Sequence, residues 1–463
     1  MAPPELPGDF RRSLLDLTLA PGTDARALSD ETHRVPVVVL AQGTNLATPL
    51  ESLRGRSVLL TSEKQLPTVL AAIALDGIAR RILLCLPDIA ETDLPAIVSE
   101  GEVDAVVSDG TGPQPPAHVP RVACGSAIHP ADVFLQDRNA PTEWILFTSG
   151  TTGRPKMVVH TLPSLTGPLD DGLKVQERPI WSTFYDVRRY GGLQILLRAL
   201  LGGGSMVLSS ASESVGDFLV RAGRSGVTHI SGTPSHWRRT LMSPDANRMA
   251  PRYVRLSGEV ADQAILDHLR QAYPQSDVAH AFASTEAGVA FDVRDGLAGF
   301  PVSYIDQPGG KAEMRVIDGT LRIRSSRTSS GYLGTAPRLG DADGFIDTGD
   351  MVERRGERYY FVGRREGVIN VGGQKVFPEE VETVLNRHPA VQMSRVWARK
   401  SPITGAIVAA DLVLREGSGT LADLRESILQ ACRDQLPAHK VPVSLRAVPS
   451  LAVGPAGKLL RHD

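Results

Sequence analysis

The sequence predicts an α/β protein in unequal parts. A large N-terminal domain of mixed and parallel sheets flanked by helices, with a small β-rich subdomain, precedes a small α+β C-terminal domain. Three observations predict this. Short apolar runs alternate with stretches of helical spacing up to about residue 360; segments 313–324 and 359–362 look antiparallel; and after Gly363 the pattern becomes a compact mix of helix and strand.

Taken in order, buried strands are expected at 37–40, 58–61, 82–86, 103–107, 145–148, 206–209, 228–232 and 254–257. Apolar residues recurring at helical spacing predict helices over 65–75, 192–201 and 262–272. Beyond Gly363, helices are expected at 379–386 and 421–435, with strands at 395–398 and 406–413. The Pro/Gly-rich stretch 109–120 reads as a loop. Domains are therefore expected over 1–363 and 367–463, joined at 364–366.

A chain of 463 residues is long enough for two or three domains with real cores. Its net charge of −2, from 50 basic and 52 acidic residues without a block of either sign, argues against a nucleic-acid or anionic-membrane surface. Cys85, Cys124 and Cys432 are odd in number and widely spaced, as expected of thiols in a reducing compartment rather than a disulfide frame or zinc site. The N-terminus lacks the basic start and apolar run of a signal peptide, and no apolar stretch approaches the roughly 20 residues of a membrane helix. A soluble, cytoplasmic protein is expected. Composition is silent on oligomeric state.

The chemistry is concentrated in Leu146-Phe-Thr-Ser-Gly-Thr-Thr-Gly-Arg-Pro-Lys156. After an apolar strand, Thr148, Ser149, Thr151 and Thr152 crowd around Gly150 and Gly153. Glycines let backbone N–H groups approach an anion, hydroxyls add donors, and Lys156 supplies a point charge for phosphate oxygens. Pro155 before the lysine and Met157 after it exclude the Walker pattern.

This loop resembles the signature of the adenylate-forming superfamily: acyl-CoA and aryl-CoA synthetases, peptide-synthetase adenylation domains and luciferases. Four further segments resemble that family in its order. In Phe282-Ala-Ser-Thr-Glu-Ala-Gly288 the resemblance places Phe282 beside the adenine, Thr285 at the α-phosphate and Glu286 on Mg²⁺, with Ala283 where glycine is usual. In Asp347-Thr-Gly-Asp350 the final carboxylate would accept both ribose hydroxyls. Within Gly363-Arg-Arg-Glu-Gly-Val-Ile-Asn-Val-Gly-Gly-Gln-Lys375, Arg364 would contact the nucleotide and Glu366, replacing the usual aspartate, would be the pivot of a mobile C-terminal domain. Gly372 and Gly373 would leave room for a pantetheine thiol. Lys458, in Gly454-Pro-Ala-Gly-Lys-Leu-Leu-Arg461, matches the family's catalytic lysine, although the usual Pro-Arg-Thr approach is replaced by Leu451-Ala-Val-Gly-Pro.

The resemblance implies an ATP- and Mg²⁺-dependent enzyme that activates a small carboxylic acid as an acyl-adenylate. It would then pass the acyl group to coenzyme A, or alternatively load an acyl, aryl or amino acid onto a carrier protein's phosphopantetheine. A catalytically idle nucleotide-binding relative is the remaining alternative. The acyl pocket is expected around 184–193, 232–237, 257–259 and 282–285. There Asp186 is a candidate for an α-ammonium, although its offset from Gly202 is too long; Arg188 and Arg189 would either meet an acidic group on the substrate or, the favoured reading, be salt-bridged or solvated at a helix start. His236 and Trp237 would either line the pocket or pack in the core.

Overall fold

The computed structural model describes residues 12–20, 25–131, 138–148, 154–169, 178–305, 307, 312–334, 339–402, 404–454 and 456–460. Its frame is two eight-stranded sheets. In the first, Glu143–Thr148, Arg81–Leu84, Ser57–Thr61, Ala105–Ser108 and Arg121–Pro130 run parallel, bordered by the antiparallel strands Lys156–Thr161 and Gly43–Leu46. In the second, Asp277–Ser284, Tyr253–Leu256, His229–Gly232, Ile180–Thr183, Ser205–Val207 and Ala27–Ser29 are parallel, with antiparallel strands at both edges.

Two helices are packed into the shared core of these sheets. Every residue of Gln65–Leu75 is buried, and Tyr190–Leu201 is buried over most of its length. Sequences apolar nearly all round suit helices covered on both sides. Gln65 still makes its bonds: its side-chain amide donates to the Ser209 carbonyl, and its oxygen accepts from the Val187 N–H at 2.8 Å.

A five-stranded antiparallel sheet follows, with Arg358–Arg364 and Ile346–Arg355 at its centre. It ends at Arg364, and the one-turn helix Arg365–Gly367 leads out of it. The hairpin Ile369–Val371 and Gln374–Val376 comes next, then the helices Pro378–Leu385 and Leu421–Gln435 on a three-stranded sheet. These elements bury a separate core around Val381, Val396, Leu412, Ile428 and Cys432.

The expected strands and helices match with one exception. Residues 37–40, expected as a strand, form the 3-10 helix Val37–Ala41. Val37 and Leu40 point inward while Val38 is 40 % exposed, so the apolar period here is three and not two. Among the described residues no helix is long and apolar enough to cross a membrane.

Candidate active site

The Lys156–Thr161 strand pairs with Glu143–Thr148 so that Lys156 lies opposite Thr148. The segment between them, with Ser149, Gly150, Thr151, Thr152 and Gly153, lies outside the described residues. Lys156 places its ammonium 5.5 Å from the centroid of the Tyr332 ring, and the Tyr332 hydroxyl donates to Glu286 Oε1 at 3.4 Å. Burial and the adjacent Glu286 carboxylate push the Tyr332 phenol up to about 12, so it remains a donor at neutral pH. Lys156 and the expected Mg²⁺ carboxylate thus meet through a tyrosine.

Thr285 is held through its backbone. Its carbonyl accepts a 2.7 Å hydrogen bond from His160 Nε2, while Nδ1 of that ring meets Ser164 Oγ at 2.9 Å. A carbonyl only accepts, so Nε2 carries the proton. His160 is fully buried, and desolvation lowers it to about 4, which keeps it neutral. Phe282 stacks on Phe361 with ring centroids 5.0 Å apart and planes 10° apart, and Phe291 lies on a third nearly parallel ring plane 6.0 Å away.

Asp350 and Arg364 sit opposite each other on neighbouring strands, with Arg364 Nε donating to Asp350 Oδ1 at 3.2 Å. Burial raises the Asp350 carboxyl above its ordinary range, and the charges of Arg364 and Lys458 pull it back. A cleft of about 440 Å³ opens beside them, lined among others by Gly258, Glu259, Phe282, Asp350, Arg364 and Lys458. Lys458 keeps solvent contact through the open cleft, yet protein atoms crowd around its ammonium. That burial lowers its pKa, Arg364 lowers it further, and Glu259 and Asp350 oppose the shift.

Other expected residues fall elsewhere. Gly372 and Gly373 form the exposed tip of the hairpin, with φ of +57° and +86° as a two-residue turn requires, and do not line the cleft. Glu366 is exposed in its one-turn helix. Arg188 is 1 % exposed and engaged by the Asp186 carboxylate and the carbonyls of Ser62 and Glu63, so neither it nor Asp186 is open to substrate. Arg189 pairs with Asp88 at 2.7 Å. Trp237 is core-packed, whereas His236 stacks on Phe184 with centroids 5.3 Å apart. Sequence reasoning passed over His160 and Tyr332, and reached Thr233 and Glu259 only as positions in the expected acyl-pocket segments 232–237 and 257–259. A histidine four residues after Lys156 in an otherwise apolar strand was the one available signal among them.

Residues 44–333 match the AMP-binding enzyme family, and residues 380–458 match the AMP-binding enzyme C-terminal domain. The chain belongs to the AMP-binding enzyme family. Its curated relatives include the 2-succinylbenzoate–CoA ligases of Bacillus velezensis, 26 % identical over 69 % of this chain and 68 % of the relative, and of Bacillus subtilis, 26 % identical over 70 % and 68 %. Among solved structures, an anthranilate CoA ligase bound to anthranoyl-AMP superposes with a TM-score of 0.79 at 16 % identity, covering 98 % of this chain and 96 % of the other. An amide bond synthetase from Marinactinospora thermotolerans gives 0.75 at 19 % identity, covering 96 % and 97 %. The two-part α/β fold is therefore that of adenylate-forming enzymes.

Proposed function

We propose that this chain is an AMP-forming acid–thiol ligase. A carboxylate oxygen of a small organic acid attacks the α-phosphorus of ATP, the bond to pyrophosphate breaks, and an acyl-adenylate forms. The thiol sulfur of coenzyme A then attacks the acyl carbon, and AMP leaves. The observation that carries this reading is that Lys458, from the far end of the chain, shares one cleft with Phe282, Asp350 and Arg364.

Each residue's part follows from its chemistry. Phe282, which lines the cleft, lies beside the adenine, and Asp350 accepts from the ribose hydroxyls with Arg364 beside it. Lys156, together with Ser149, Gly150, Thr151, Thr152 and Gly153, grips phosphate oxygens, and Thr285 reaches the α-phosphate. Lys458 sets its ammonium against the negative charge that develops as the carboxylate attacks.

Among the described residues no group of three or more potential ligands forms a metal cage. This fits Mg²⁺, which takes one or two carboxylates and completes its sphere with water and phosphate oxygens. Glu286, whose one described side-chain partner is the long Tyr332 bond, would hold it. The ion would supply charge neutralisation on the phosphates.

The 364–366 segment would act as the hinge between the 1–363 and 367–463 domains, with Glu366 as its pivot. Turning there would bring Gly372 and Gly373 to the cleft for the thiol. The three free cysteines and the need for ATP and coenzyme A favour a cytoplasmic site of action.

The test is pyrophosphate release with Mg·ATP across aryl, short-chain, fatty, dicarboxylic and amino acids, each with and without coenzyme A. Aryl acids head the panel because 2-succinylbenzoate and anthranilate are named for the relatives. Release dependent on one acid class and faster with coenzyme A supports the ligase. Release that stalls near one equivalent with coenzyme A present replaces the acceptor with a carrier protein's phosphopantetheine. No release with any acid overturns the proposal in favour of an idle nucleotide-binding relative.

A further inference from the structure

The backbone on both sides of Lys458 is gripped by the large domain. On one side, the Thr233 hydroxyl donates to the carbonyl of Gly457. On the other, the Leu459 N–H donates to Glu259 Oε1 at 2.8 Å. Gly457 itself has φ +72° and lies so close to the His236 ring that a β-carbon there would stand 1.8 Å from the ring's Cε1.

The gripping residues are themselves fixed. Thr233 caps the helix Pro234–Met242 by accepting from the His236 N–H at 3.0 Å. Glu259 accepts from the Ser235 N–H at 2.9 Å and the Ser235 hydroxyl at 3.0 Å, which places its charge at the positive end of that same helix. On the tail side, Gly457 N–H donates to Gly454 O and Gly454 N–H to Lys458 O, each at 2.8 Å, so the docked segment is already a tight turn.

We infer that Thr233, His236 and Glu259 form a receptor that reads the backbone flanking Lys458 and positions its ammonium for adenylation alone. The inference rests on the proposed ligase reaction. Its contacts fall on backbone groups and on a glycine that cannot be larger. Thioester formation with Gly372 and Gly373 at the cleft requires the tail to leave, so these contacts stabilise one arrangement of the enzyme and not the other.

The test separates the two half-reactions, using the acid from the panel that gives the most pyrophosphate release and its synthetic acyl-adenylate. Glu259→Ala and Thr233→Val should each slow acid-dependent ATP–pyrophosphate exchange by roughly 10- to 100-fold, mainly in kcat. Coenzyme A thioester formation from supplied acyl-adenylate should stay within about twofold. Thr233→Ser, which keeps the hydroxyl, and Glu259→Gln, which keeps an acceptor for Leu459, should restore most of the exchange rate. With Mg·ATP as the only ligand, deuterium uptake in the 456–460 segment should rise in Glu259→Ala while the core strands remain protected.

Equal loss in both half-reactions, or loss confined to the KM for ATP, would overturn the inference and leave a structural or nucleotide-binding role. Full exchange activity in both Glu259→Ala and Thr233→Val would also overturn it. If the unmutated protein releases no pyrophosphate with any acid, the ligase reading itself fails and takes this inference with it.

Discussion

Asp350 and Arg364 are cross-strand partners, and the arginine Nε reaches the aspartate carboxylate at 3.2 Å from a neighbouring antiparallel strand. The pair is built by one hairpin, so the carboxylate proposed to meet the ribose is held by the fold itself. Asp350→Asn keeps the shape but weakens acceptance from two hydroxyls. The KM for ATP should rise about tenfold, with a smaller effect on kcat, in exchange assays at varied ATP. An unchanged KM would remove Asp350 from the ribose.

Lys458→Ala should lose about a thousandfold or more in adenylation while still using supplied acyl-adenylate. Burial and Arg364 lower the lysine's pKa, and its proposed role needs the ammonium form. Exchange activity should therefore fall as pH rises through that lowered pKa, below the range of an exposed lysine. Lys458→Arg, charged throughout, should lack this alkaline limb at whatever residual rate it retains. An identical alkaline limb in the arginine variant would assign it to another group.

Gly457→Ala meets two obstacles, a positive φ and the His236 ring. It should abolish measurable adenylation without lowering the midpoint of global unfolding, because the 456–460 segment lies outside the main cores. His236→Ala in the same chain should recover part of the rate by clearing the ring, leaving the backbone cost of about 1 kcal/mol. No recovery in the double variant would show that the ring is not the obstacle.

Acid should weaken the fold through two desolvated histidines, the buried His160 and the half-buried His236. His160 is held neutral at about 4 and His236 at about 3, both by desolvation. The unfolded chain binds their protons near pH 6.5 and the folded chain does not, so stability is complete above that pH and is lost as pH falls toward the folded values. Each histidine should cost about 1.4 kcal/mol per pH unit once below about pH 6. Urea unfolding at pH 7.5 and 5.5, followed by the fluorescence of the buried Trp144 and Trp181, measures the slope. His160→Asn should flatten it, and an unaltered slope would mean that His160 takes up its proton without unfolding.

Much of the architecture, and the grouping of the residues proposed for the nucleotide, was legible because it is written locally. Phe282, Thr285 and Glu286 share one strand end, Asp350 and Arg364 one hairpin, and the helices 65–75 and 421–435 carry their own periodicity. What escaped was written across distance. His160 acquires its role from a carbonyl 125 residues away, and Glu259 from an amide 200 residues away. No spacing rule reaches that far. Arg188 was ambiguous because a charged residue beside Asp186 can face either solvent or a substrate; only the Ser62 and Glu63 carbonyls show that it is consumed inside.

The tail that delivers Lys458 is fastened by few groups, whereas the sheets beneath it bury continuous apolar cores. Heat should act on the two very differently. On warming, the tail would lift away well before the sheets melt, so catalysis would fade over a range where ATP is still bound and the protein still looks native. The upper working temperature of the enzyme would then be set by a latch, and a thermal melt would overstate it.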